Sequence, residues 1–66
     1  MKASVRIKDG SWIIMNQLPI NTRTTNVNDV IKWREENNIK GYMIYSHRIY
    51  LEHDEDAAAF VLKFGL

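Results

Sequence analysis

Residues 4–18, SVRIKDGSWIIMNQL, decide the fold of this chain. The first five alternate between polar and apolar side chains, which is the period of a half-buried β-strand. Asp9-Gly10 is a typical hairpin tip, because a type I′ turn needs positive φ at both central positions. The remaining residues return as a second strand, and Pro19 ends it because proline cannot donate a ladder hydrogen bond.

The first helix is predicted after a polar connection. Asn26 or Thr25 supplies its N-cap, and Asp29 lies near the positive end of its dipole. The apolar stripe has helical spacing, and Asn38 is suited to a left-handed C-cap. The predicted stripe consists of Val27, Val30, Ile31 and the stem of Arg34.

The second half of the chain repeats this order. Strands are expected over residues 41–45 and 48–52, with Ser46-His47 as a two-residue tip. Asp54 is expected to cap a last helix that Gly65 closes. The core-facing stripe of that helix is Ala57, Phe60, Val61 and Phe64.

Two ββα units, 4–38 and 40–65, predict one small α+β domain over residues 1–66. We expect a four-stranded antiparallel sheet with both helices on one face. The expected strand order is 1-2-4-3, by analogy with a permuted ferredoxin-like layout, in which the last strand of βαββαβ moves to the front.

The composition limits the class of protein. With no cysteine, the 66-residue chain has neither disulfides nor thiolate metal ligands to support its fold. No apolar run is long enough to span a bilayer, and the first residues lack a signal-peptide core. We therefore expect no membrane partner and a cytoplasmic location.

Two-residue loops in both hairpins would fix which side chains share a face. The more apolar set is expected to meet the helices: Val5, Ile7, Trp12, Ile14, Tyr42, Ile44, Ile49 and Leu51. The opposite side is the predicted binding surface: Arg6, Lys8, Ile13, Met15, Met43, Tyr45, Arg48 and Tyr50. Together with the helix stripes, the predicted core includes Phe60, Val61, Phe64, Val30, Ile31, Trp12, Ile44 and Ile49.

This predicted surface is too apolar for a plain solvated face, so it indicates an interface. The first interpretation is a protein partner, either a second copy that makes a homodimer or a foreign protein. The alternative is single-stranded RNA or DNA, with Tyr45 and Tyr50 as stacking platforms ringed by Arg6, Lys8 and Arg48. The aromatic signature motif of RNA-recognition domains is absent, and the net charge is only +1.

Catalytic and metal-binding motifs are weak. His53 precedes three acids at residues 54–56, but helix capping explains those acids, and His47 belongs to a separate hairpin tip. Glu35-Glu36 is a carboxylate pair with nothing to place it in a cleft. We expect no enzyme activity, no metal and no cofactor.

Residues 49–65, IYLEHDEDAAAFVLKFG, resemble the ends of small tailed-bacteriophage proteins. Those proteins often close with a strand, an acidic Glu-Asp-Ala cap and Phe-x-Leu-(Lys/Arg)-(Phe/Trp)-Gly. The resemblance implies a viral origin and an accessory role in host takeover, through binding or inhibition of a host protein. It implies no particular functional residues.

Overall fold

The computed structural model describes residues 1–65, and Leu66 lies outside the described residues. Four antiparallel strands form one sheet in the order β1-β2-β4-β3, and the element order is ββαββα. The predicted fold class and strand order are confirmed. The elements are β1 (Lys2–Arg6), β2 (Trp12–Pro19), α1 (Val27–Glu36), β3 (Tyr42–Tyr45), β4 (Arg48–Leu51) and α2 (Asp54–Phe64).

The first hairpin has a three-residue loop, Lys8–Gly10, and the predicted two-residue loop is wrong. The N–H of Gly10 donates to the carbonyl of Ile7 at 2.9 Å, and the N–H of Ile7 donates to the carbonyl of Ser11 at 2.9 Å. This is a type I turn followed by Gly10 at φ +89°. The carboxylate of Asp9 accepts the N–H of Ser11 at 2.8 Å, which stabilises the turn and lowers the pKa of Asp9.

The longer loop shifts the predicted pairing by one residue. Arg6 lies opposite Trp12, and Val5 lies opposite Ile13. Because side chains alternate along a strand, β1 turns its other face to the helices. Val5 therefore lies on the side away from the helices, where the prediction had placed Arg6.

The second hairpin agrees with the prediction. Ser46 and His47 have φ of 52° and 62°, as a type I′ turn requires. Tyr45 pairs with Arg48, and the rest of the register follows as expected. Both helices pack on the same side of the sheet, where Trp33 of α1 meets the Phe60 ring of α2 edge-on at 5.7 Å between centroids.

The helix caps differ in part from the prediction. The side chain of Asn26 caps α1 by accepting the N–H of Asn28, and Asn38 adopts φ 53° just beyond the helix. The N-cap of α2 is His53, which makes no side-chain cap bond, so the predicted cap at Asp54 is wrong. The carboxylate of Asp54 instead accepts hydrogen bonds from Lys2 and from Asn16.

The main core lies between the helices and the sheet. Phe60, Val30 and Ile49 are buried as predicted, whereas Val61 is exposed and Trp12 is 65% exposed. Ile14 is exposed as well, so the hairpin residues predicted for this core do not fill it. The buried residues are Leu18, Ile20, Val30, Trp33, Ile39, Ile49, Leu51 and Phe60, with Tyr42, Ile44, Ala57 and Phe64 packed against them.

Candidate functional site

The side of the sheet away from the helices is the candidate site, and we call it the outer face. The strand register assigns its members, because residues directly opposite each other point to the same side. The outer face consists of Ala3, Val5, Ile13, Met15, Gln17, Pro19, Met43, Tyr45, Arg48 and Tyr50.

Most of the predicted surface is brought together on this face. The predicted residues that lie on this face come from β2, β3 and β4: Ile13, Met15, Met43, Tyr45, Arg48 and Tyr50. Arg6 and Lys8 are misplaced in the prediction, because Arg6 shares the helix side with Trp12 and Lys8 lies in the loop. The register puts Ala3 and Val5 on the outer face instead, although Arg6 and Lys8 remain among the residues that line its clefts.

The floor of the outer face is a second small core made of strand residues alone. Val5, Met15 and Tyr50 are buried there, Met15 to 3% exposure, with Ala3 and Met43 among the residues packed against them. The Tyr50 hydroxyl accepts a hydrogen bond from the Gln17 side-chain amide at 3.1 Å. The sequence predicted an exposed patch here, but the side chains at its centre are buried.

Curvature of the sheet explains how these residues are buried without a helix above them. In a flat sheet, β1 and β3 would be separated by three strand spacings, about 14 Å. Here Val5 of β1 and Met43 of β3 line the same two clefts, of about 470 and 380 Å³. The outer face is therefore concave, and the open edges of β1 and β3 border its clefts.

The rim of the outer face stays exposed. Tyr45 is 69% exposed on β3, and Arg48 is exposed beside it. On the other rim, the β1–β2 hairpin extends beyond the remaining strands, because β4 pairs with β2 only from Asn16 to Pro19. The exposed side chains of Trp12 and Ile14 lie on the helix side of this extension.

Charge is distributed unevenly around the face. Lys2 forms an ion pair with Asp54, and this contact, followed by the hydrogen bond from Asn16, lowers the pKa of Asp54. Within residues 1–65, neither Arg6 nor Arg48 has an acidic partner. The edges of the concave face therefore carry cations that are free to meet an acid.

The two-tyrosine platform of the nucleic-acid interpretation is not present in this geometry. Tyr50 is only 9% exposed, and its ring belongs to the buried floor. Of the two tyrosines, only Tyr45 is exposed enough for stacking. Arg6 lines one cleft with Tyr45, although it belongs to the other side of the sheet, and Lys8 lies in the first loop and lines the neighbouring cleft.

No metal-binding cluster is found among the described residues. Over residues 1–65, no group of three His, Asp or Glu side chains converges as metal ligands would. His47 lies at a hairpin tip and His53 at the start of α2. In the same range, neither helix has both the length and the apolar character needed to cross a membrane.

Comparisons with protein-family models, with curated proteins and with solved structures find no match to this chain.

Proposed function

We propose that this chain is a non-enzymatic protein-binding module that holds a partner protein against its concave outer face. The observation that carries the proposal is the pair of clefts on that face, which are bordered by two open strand edges and lined largely by apolar side chains. Accessible apolar surface of this kind favours protein association. Partly buried Met43 adds an adaptable side chain that suits varied apolar contacts.

A foreign protein fits this surface better than a second copy. In a twofold dimer the same patch meets itself, so two concave faces would touch at their rims and leave the clefts between them unfilled. The rim residue Arg48 would also add a like charge from each copy. A convex or extended partner fills the clefts without this cost.

The proposed partner is a bacterial host protein, and the chain would act as a bacteriophage accessory protein in the host cytoplasm. This part of the proposal rests on the resemblance of residues 49–65 to the ends of small phage proteins.

Capture from bacterial lysate tests the proposal with two matched variants. Tyr45→Glu places an acid on the outer face, and Leu62→Glu places one on the exposed side of α2, where Leu62 is 88% exposed. Both positions are exposed enough for the fold to survive. We expect the parent and Leu62→Glu to capture the same protein and Tyr45→Glu to lose it, with and without nuclease.

Three outcomes would contradict the proposal. Capture that Tyr45→Glu leaves intact would move the interface off the outer face. Capture that nuclease abolishes would favour the single-stranded nucleic-acid alternative. A parent that sediments as a dimer at micromolar concentration, and that Tyr45→Glu converts to a monomer, would make a second copy the partner.

A further inference from the structure

β1 is an open edge of the sheet, and its register shows which backbone groups are free. Met1 exchanges hydrogen bonds with Gln17, and Ile7 donates to Ser11. In an antiparallel pair such hydrogen-bonded positions recur at every second residue. The N–H and C=O groups of Lys2, Ser4 and Arg6 therefore point away from β2, toward the free edge.

Open space lies directly beside this edge. Four consecutive residues of β1, from Ala3 to Arg6, line the cleft of about 380 Å³. The far wall of this cleft comes from Met43, Tyr45 and Tyr50. A free row of backbone donors and acceptors next to an apolar cleft is what a sheet offers to an added strand.

We propose that the partner supplies an extended segment that pairs with β1 as a fifth strand. This inference rests on the proposed function and names the kind of segment that the outer face holds. Side chains of an added strand alternate in direction, so the residue opposite Val5 enters the cleft and the residue opposite Arg6 lies on the helix side.

The charges on β1 indicate which side chains the added segment carries. Arg6 is exposed and has no acidic partner within residues 1–65, whereas Lys2 is paired with Asp54. The segment therefore carries an acid opposite Arg6 and apolar residues opposite Val5 and Ala3. A second copy of β1 does not fit, because antiparallel pairing centred on Ser4 sets Lys2 against Arg6 of the other copy.

A short peptide tests the pairing directly. The probe is acetyl-Gly-Glu-Phe-Thr-Val-Thr-Gly-amide, whose Glu lies opposite Arg6, Phe opposite Val5 and central Thr opposite Ser4. Binding is measured by titration into isotope-labelled protein and by the amide shifts of β1. We expect saturable binding. N-methylation of the central Thr, whose N–H faces β1, should weaken binding about fivefold or more, whereas N-methylation of Phe or Val should not.

Substitutions in the protein test the same strand pairing from the other side. Ser4→Pro removes an outward N–H and leaves the β1–β2 ladder intact, since proline is tolerated at a free edge. We expect it to keep its melting temperature and to lose the peptide. Arg6→Glu should prefer the peptide with Lys in place of Glu, whereas Lys32→Glu on α1 should bind as the parent does.

Failure of this inference is separable from failure of the proposed function. If the peptide does not bind at millimolar concentration, or if N-methylation has the same effect at every position, strand addition is overturned. Lysate capture that survives Ser4→Pro but is lost in Tyr45→Glu overturns strand addition and leaves the protein-binding function standing. Absence of any captured protein overturns both.

Discussion

Two neighbouring residues, Ile14 and Met15, give the sharpest test of the outer face. Met15 is 3% exposed in its floor, and Ile14 is 58% exposed on the opposite side of the same strand. Truncation of a buried Met to Ala costs about 2–5 kcal/mol, and we expect about 2–3 because an open concave face can partly relax. More than half of Ile14 is already in water, so Ile14→Ala should cost about 1 kcal/mol or less.

Urea unfolding followed by circular dichroism measures both costs. A domain of this length has a free energy of unfolding of about 3–10 kcal/mol. With a slope near 1 kcal/mol per molar urea, Met15→Ala should lower the midpoint by about 2–3 M and Ile14→Ala by about 1 M or less. The sequence prediction puts Ile14 in the core and Met15 on an exposed face, whereas the structure buries Met15 in the floor of the outer face. A larger loss for Ile14→Ala than for Met15→Ala would therefore refute the buried floor of the outer face.

The remaining predictions concern the main core, the first loop and acid stability. Phe60→Ala should cost about 3–5 kcal/mol, because Phe60 is 1% exposed among aromatic rings, and a nearly unchanged melting temperature would place it outside the core. Deletion of Lys8 should leave a two-residue Asp9-Gly10 turn and the same strand pairing, which cross-strand NOEs would detect, and a shifted pairing would contradict this. Asp54 has a lowered pKa in the folded state, so its pairing with Lys2 stabilises the fold above about pH 4 and is lost as the pH falls below that value. Asp54→Asn should remove that part of the acid dependence from unfolding curves between pH 5 and 2, and an unchanged acid dependence would refute it.

The second hairpin was within reach of the sequence because it depends on local signals, whereas the strand order was reached by analogy. The ββαββα order leaves few antiparallel arrangements, and the analogy with a permuted ferredoxin-like layout selects the one observed. Ser46-His47 lacks glycine, yet a two-residue loop between strongly apolar strands was enough to set their register. Both residues adopt positive φ, which is unfavourable for residues other than glycine, and the pairing of β3 with β4 offsets this cost.

The loop length of the first hairpin was predicted wrongly, because Asp-Gly occurs in two types of hairpin loop. The dipeptide fits the centre of a type I′ turn and equally the last two positions of a type I turn with a glycine bulge. Nothing in the alternation of β1 separates the two, since Val5 and Ile7 are apolar in either case. Ile20 and Ile39 were missed for a different reason. They lie between elements, where no helical or strand period marks a core residue.

The one extra residue in the β1–β2 loop changes the chemistry of the candidate site. With a two-residue loop, β1 would present Arg6 and Lys8 beside the tyrosines, which is the cation-ringed platform that nucleic acid requires. With the observed loop, β1 presents Ala3 and Val5 to this face, and Arg6 and Lys8 line its largely apolar clefts without belonging to the outer face. Arg6 then flanks the free edge of β1, where a charge blocks self-pairing and admits an acidic strand. The proposals of a protein partner rather than nucleic acid, and of an extended segment rather than a second copy, both rest on this register.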